Sequence, residues 1–254
     1  MRVKELQALA LAIQFLTRAP IPAGTACNPA RLAAAVRYYP LVGALIGAVC
    51  AGVFLLAQVW LAGPIAVLLA MAAGLAVTGA FHEDGLADTF DGIGASAAAP
   101  DRALEIMRDS RLGTYGSAAL FMALGIKFAA LASLAPATVW MALIAGHGLS
   151  RISSVAVMQT SRYIRETGAA TELSRRPGAK GSLVVLLTGA ALVAGLAAFL
   201  SPFAAIPALA GLLAGHVLMR LYCEPRLGGY TGDTLGAVQQ ASEIGLYLGL
   251  AAWA

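Results

Sequence analysis

The sequence predicts an all-α fold, a polytopic transmembrane helical bundle of about six to seven spans whose long polar loops gather on one side. Three observations predict it. Apolar residues make up 59% of the chain and charged residues only 12%, and mean hydropathy is +0.79, whereas soluble domains carry roughly 25% charge. Apolar runs recur at the length a helix needs to cross about 30 Å of hydrocarbon, roughly 20 residues. The basic residues sit in the gaps between those runs, as membrane orientation requires.

The runs fall approximately over Tyr39–Trp60, Pro64–Phe81, Tyr115–Ala135, Thr138–Met158, Leu183–Leu200, Phe203–Tyr222 and, less cleanly, Leu235–Trp253. Leu6–Leu16 is too short to span, and Pro20 and Pro22 stop it, so it is expected to lie in the interface or to re-enter. The first residues could pass for a signal peptide, but no small-residue cleavage site follows, and the segment reads as retained. Connections around Gly63, Pro136 and Ser201-Pro202 are short and uncharged. The others hold Arg31 and Arg37, then Arg102, Arg108 and Arg111, then Arg162, Arg165, Arg175, Arg176 and Lys180, and lastly Arg220 and Arg226. Excess Arg and Lys marks the cytoplasmic face. Every long polar loop is therefore expected there, with the N-terminus inside and, for seven spans, the C-terminus outside.

That orientation accounts for the net charge of +4 and leaves no case for nucleic acid. Cys27, Cys50 and Cys223 share no motif spacing, which argues against a disulfide framework or a zinc site. No internal repeat divides the chain, so residues 1–254 read as a single integral membrane domain. Glycines inside the runs, such as Gly43, Gly47, Gly211 and Gly215, are expected to let helices approach closely. The oligomeric state is left open, a homo-oligomer included.

The strongest local signal runs from His82 to Gly92. Glu83, Asp84, Asp88 and Asp91 pack four of the chain's 13 acidic residues directly after a span. If the helix continues, Asp84, Asp88 and Asp91 stand at i, i+4 and i+7 and line one face. Like charges this close need something to offset them. Mg²⁺ does so with a few carboxylates, waters and substrate phosphates. The bland alternative is a solvated helix end. Gly85, Gly92 and Gly94 would allow close approach to a ligand or simply end the helix.

Two further segments belong on the same side. Arg108 and Arg111 could hold a phosphate bidentately, or serve as an anchor with local ion pairs such as Glu105 with Arg102 or Arg108. In Gly228–Gly236, Asp233 could complete a metal site while backbone amides meet phosphate; equally, Asp233 or Thr231 could cap the last helix. Lys127, His147, Arg151, Gln159, His216 and Glu243 fall inside or near the spans, where ionisable groups face a bundle interior. Lys127, about midway down its span, could pair with Glu243, which would make both structural.

These motifs resemble the cobalamin synthase family, the adenosylcobinamide-GDP ribazoletransferases. The resemblance rests on Phe15-Leu16-Thr17-Arg18-Ala19-Pro20-Ile21-Pro22, on Tyr39–Gly47, on His82–Gly92, on Arg108–Gly116 and on Gly229-Tyr230-Thr231-Gly232-Asp233, in order along nearly the whole chain. It implies a bacterial inner-membrane enzyme with its active site on the cytoplasmic side. That enzyme would join adenosylcobinamide-GDP to α-ribazole, or its 5′-phosphate, and release GMP, with Mg²⁺ as cofactor. It further implies that Glu83, Asp84, Asp88, Asp91 and Asp233 hold the metal. Asp84, Asp88 and Asp91 would carry the chemistry, with Asp91 a candidate general base. Arg108 and Arg111 would bind the leaving phosphate, and Gly229 and Thr231 the substrate.

Two rivals are weighed. CDP-alcohol phosphatidyltransferases use Asp-x-x-Asp-Gly-x-x-Ala-Arg followed by a second aspartate motif. Asp88, Asp91, Gly92 and Ala95 fit the first half, but Ser96 replaces its arginine, and of the second half only Asp109 fits. A transporter would spread polar groups through the midplane of several helices, whereas the acids here gather at one face.

Overall fold

The computed structural model describes residues 5–20, 29–96, 99–109, 111–165 and 177–254. Cys27, Ser110, Arg175, Arg176 and the Ile21-Pro22 end of the N-terminal motif lie outside them. The elements in order are α1 (Glu5–Leu16), α2 (Pro29–Ala35), a 3₁₀ turn (Val36–Tyr38), α3 (Tyr39–Ala57), α4 (Gly63–Thr78), α5 (Phe81–Ala95) and α6 (Pro100–Ile106). Then follow α7 (Thr114–Ser133), α8 (Pro136–Thr160), α9 (Ala179–Phe199), α10 (Pro202–Leu227) and α11 (Gly232–Trp253). In lipid the backbone must satisfy its own hydrogen bonds, so apolar runs become helices. Proline in the first turn of α3, α4, α6, α8 and α10 sets their starts, where its missing N–H and fixed φ are no handicap.

Arg31–Ala57, Thr114–Ser133, Pro136–Thr160, Ala179–Phe199 and Pro202–Leu227 are long and apolar enough to cross a membrane. The chain is a multi-pass membrane protein. Large apolar side chains such as Phe121 (77% exposed) and Trp60 (74%) face outward, as lipid contact permits. Two expected spans differ from the sequence reading. The run at Pro64–Phe81 forms only the 16-residue α4, then bends by 86° into α5. At 1.5 Å per residue α4 is about 24 Å long, and α5 turns across the end of the bundle instead of extending the span. The last run forms the 22-residue α11. Its middle carries Gln239, Gln240, Ser242 and Glu243, all buried, and it packs against α10, α5, α8 and α7. Those four helices bury its polar middle, which is why its apolar signal is weak.

Close packing follows from the small residues. A Cβ on Gly211 of α10 would collide with the Gly245 carbonyl of α11, and one on Gly245 with that of Gly211. α1 buries Ala8, Leu11, Ala12 and Leu16 and lies against α2 and α3. Glu5 anchors it through Arg37 at 2.7 Å and the Tyr38 hydroxyl at 2.6 Å.

The α4–α5 bend rests on two consecutive left-handed residues, Gly79 (φ 67°) and Ala80 (φ 57°). Glycine adopts this region freely, whereas alanine there costs roughly 1–2 kcal/mol. Ala80→Gly relieves that strain at some cost in chain entropy. The expected net is a gain of up to about 1 kcal/mol, read as a raised Tm in detergent. A lowered Tm would mean that the Ala80 methyl is held by packing.

Candidate active site

α5 is helical throughout Phe81–Ala95, so Asp84, Asp88 and Asp91 do share a face. Along it burial deepens: Asp84 is exposed, Asp88 half-buried and Asp91 buried. The start of α11 closes on this face. A Cβ on Gly85 would stand 2.8 Å from the Asp233 carbonyl oxygen, so the glycine there admits a neighbouring backbone and not a ligand. Asp84 and Asp233 thereby crowd Asp88. Burial first, and then these two carboxylates, push its carboxyl up to about 7.

The other acids are engaged elsewhere. The Asp91 carboxylate accepts from the backbone N–H of Gly113 at 2.7 Å and of Gly116 at 2.9 Å. It caps α7 across 22 residues of chain. Glu83 is offset by one residue from the acidic face and turns inward, accepting from Gln240 Nε2 at 2.9 Å and lying 3.8 Å from Lys127 Nζ. Asp233 pairs with Arg165 at 2.6 Å. Among the described residues no three His, Cys, Asp or Glu side chains converge on a metal position.

Mg²⁺ commonly takes one or two carboxylates and completes its shell with water and substrate phosphate. Asp84 and Asp88 have no hydrogen-bond or ion-pair partner among the described residues and fit that mode. Asp91 does not, because both its oxygens already accept backbone N–H groups; Glu83 turns its Oε1 into the buried network, away from that pair, and leaves Oε2 buried without a partner among the described residues.

The arginines expected to bind phosphate have no described contact with these acids. Arg111 is 87% exposed and bound to Asp109, whose carboxyl it holds below the usual range chiefly through side-chain hydrogen bonds. Arg108 is exposed. No described contact joins either arginine to the acid pair, and Glu105 pairs with Arg102 at 2.6 Å. Arg165 stands at the acids instead. Its Nη2 donates to Asp233, and its buried Nε has no partner among the described residues. The segment is positioned by a bridge between Tyr163 and Tyr230, with Tyr230 N–H donating to the Arg162 carbonyl at 2.8 Å and Ile164 N–H to that of Tyr230 at 3.1 Å. In the sequence Arg165 is one basic loop residue among several, and nothing local marks it.

Gly229 and Thr231 serve this architecture. A Cβ on Gly229 would strike the Arg162 carbonyl. Thr231 is fully buried, and its hydroxyl accepts from Thr234 N–H while the Thr234 hydroxyl accepts from Thr231 N–H. This reciprocal cap fixes the helix start that carries Asp233. Thr231→Ala is expected to cost about 1 kcal/mol, seen as a lower Tm with substrate KM values unchanged; a KM effect without a Tm effect would place Thr231 on the binding surface.

Beneath the acids lies a buried polar network. Lys127 Nζ donates to Gln240 at 2.8 Å and pairs with Glu243 at 3.0 Å, as the sequence suggested. Gln239 donates to Glu243 at 2.6 Å, the Tyr247 hydroxyl donates to it at 3.1 Å, and His147 lies 3.6 Å away. These contacts tie α7, α8 and α11 to one another and, through Glu83, to α5.

A family model described as cobalamin-5-phosphate synthase matches residues 8–251. The chain is 41% identical to the adenosylcobinamide-GDP ribazoletransferase of Shewanella baltica (strain OS185), over 96% of this chain and 93% of that one. It is 40% identical to the enzyme of the same name from Shewanella frigidimarina, over 97% and 94%, and 39% identical to that of Shewanella oneidensis, over 96% and 93%. No solved structure matches. The chain belongs to the cobalamin-5-phosphate synthase family.

Proposed function

We propose that this protein joins adenosylcobinamide-GDP to α-ribazole, or its 5′-phosphate, releasing GMP, at a site on the cytoplasmic side of a bacterial inner membrane. The relatives' shared name supports the reaction. The observation that carries the site is the crowding of Asp84, Asp88 and Asp233 at one bundle end with Arg165 beside them. Bound there, Mg²⁺ would neutralise the diphosphate and favour loss of GMP. Asp84 and Asp88 are the residues that would hold it. Arg165 offers its unengaged Nε to a phosphate oxygen, with Asp233 orienting the guanidinium. Asp91 holds the Gly113–Gly116 turn and so shapes the wall without reacting. Little covalent work falls to the protein in such a transfer; positioning and charge neutralisation dominate.

The test is product analysis. Purified protein given both substrates should yield GMP and a ribazole-bearing corrinoid in equal amounts, and neither substrate alone should give GMP. GMP formed without ribazole would make this a hydrolase, and no GMP from folded protein would send the reading back to other diphosphate substrates.

A further inference from the structure

The N-terminal motif around Arg18 has no part in the chemistry above, yet the fold brings it to the acids. Arg18 N–H donates to the Val77 carbonyl at 2.8 Å, which ties the chain after α1 to the last turn of α4. The side chain then runs over the α4–α5 bend, where a Cβ on Gly79 would collide with the Arg18 guanidinium. Glycine is thus needed at 79 for room as well as for its φ of 67°.

This course places Arg18 at the start of the acidic face. Phe81, Asp84 and Asp88 stand at i, i+3 and i+7 of α5 and share that face. Phe15, three residues before Arg18, meets the Phe81 ring edge-on at 5.3 Å. Asp84 N–H donates to the carbonyl of Ala80 at 2.8 Å, next to the glycine that Arg18 covers. Arg165 approaches from further along α5. Its Nη2 donates to Asp233, which packs on Gly85, and lies 3.5 Å from the carbonyl of Met107, whose side chain packs on Gly92. Two arginines from distant segments therefore flank the acids.

Arg18 is exposed, and among the described residues its side chain has no carboxylate partner. Arg37, Arg102, Arg111 and Arg220 each hold one. A cation over the end of α4 gains about 0.3–1 kcal/mol from the helix dipole, but any basic residue would serve for that. The backbone N–H, and not the side chain, makes the described hydrogen bond that anchors the loop. What arginine adds is a planar fork of donors matched to phosphate oxygens.

We propose that Arg18 binds a phosphate oxygen of the adenosylcobinamide-GDP diphosphate, at the end of the acidic face away from Arg165. This rests on the function proposed above and adds a second arginine to the donor substrate's site. A diphosphate carries more negative charge than one guanidinium offsets, and Arg18 would share that load with Arg165 and the metal.

The test uses the full-length protein in detergent. Arg18→Gln should raise the KM for adenosylcobinamide-GDP about 10–100-fold, with the α-ribazole KM and the Tm unchanged. Arg18→Lys keeps a charge over the end of α4 but loses the fork, and should raise the same KM about 3–10-fold. If Arg18→Gln fails to fold, Arg18→Lys decides. Calorimetric titration with magnesium pyrophosphate should show weaker binding by each variant than by wild type. A wild-type KM for adenosylcobinamide-GDP in the folded variants overturns the proposal. So does an equal rise in both substrates' KM values, or a pyrophosphate affinity that neither variant alters. If wild-type protein releases no GMP the reaction fails, and the pyrophosphate comparison still decides Arg18.

Discussion

Replacing Asp84 or Asp88 with alanine is expected to slow GMP release by about 10²–10³-fold, the scale seen when one electrostatic contact to a transition state is removed. Both carboxylates lack protein partners among the described residues, so neither stabilises the fold by a contact that the substitution would break. Asp88 is crowded by Asp84 and Asp233, and removing one charge should if anything relieve repulsion. The expected pattern is therefore a large loss of kcat with an unchanged or slightly raised Tm. Asp91→Ala should behave in the opposite way. It frees the Gly113 and Gly116 amides and is expected to lower stability by about 1–2 kcal/mol. Kinetics and thermal unfolding on the three variants separate these roles. Wild-type turnover in both Asp84→Ala and Asp88→Ala would remove the acid pair from the mechanism.

Glu243→Ala is expected to be the most destabilising of the single substitutions considered, by about 3–5 kcal/mol. Its carboxylate is fully buried and receives Lys127, Gln239 and Tyr247. Hydrogen bonds inside a membrane bundle are each worth only about 0.6–2 kcal/mol. The larger effect comes from leaving the Lys127 ammonium, 6% exposed, without its nearer counter-charge and with only Glu83 at 3.8 Å to offset it. Combining Lys127→Met with Glu243→Gln removes both charges and should cost less than the sum of the two single changes. Additive losses in thermal unfolding would mean that the two residues act independently. Because the same network reaches Glu83, its loss should also loosen the start of α5 and reduce activity.

Much of this could be read from the chain. Five spans, the helical face of Asp84, Asp88 and Asp91, and the Lys127–Glu243 pair all follow from run length, spacing and the cost of charge in lipid. What the spacing cannot say is which carboxylate another helix has already claimed. Asp91 and Glu83 differ from Asp84 and Asp88 only through Gly113, Gly116 and Gln240, which lie 22 to 157 residues away. Arg165 was hidden for the same reason, since the bridge of Tyr163 to Tyr230 that places it pairs distant segments. The turn after α4 had a glycine to announce it, but an alanine in the left-handed region leaves no mark in a sequence. The polar middle of α11 lowered its membrane signal because the surrounding helices, and not lipid, are its solvent.

If Asp84 and Asp88 hold a divalent cation against the diphosphate, as proposed above, turnover must depend on that cation. The most direct measurement is a Mg²⁺ titration of GMP release by protein reconstituted in bilayers, started from an EDTA-stripped sample with both substrates present. The expected result is no release at zero Mg²⁺, saturable recovery on its return, and a weakened Mg²⁺ dependence in Asp84→Asn and Asp88→Asn. Full-rate release in EDTA, or an unaltered Mg²⁺ dependence in both variants, would contradict it.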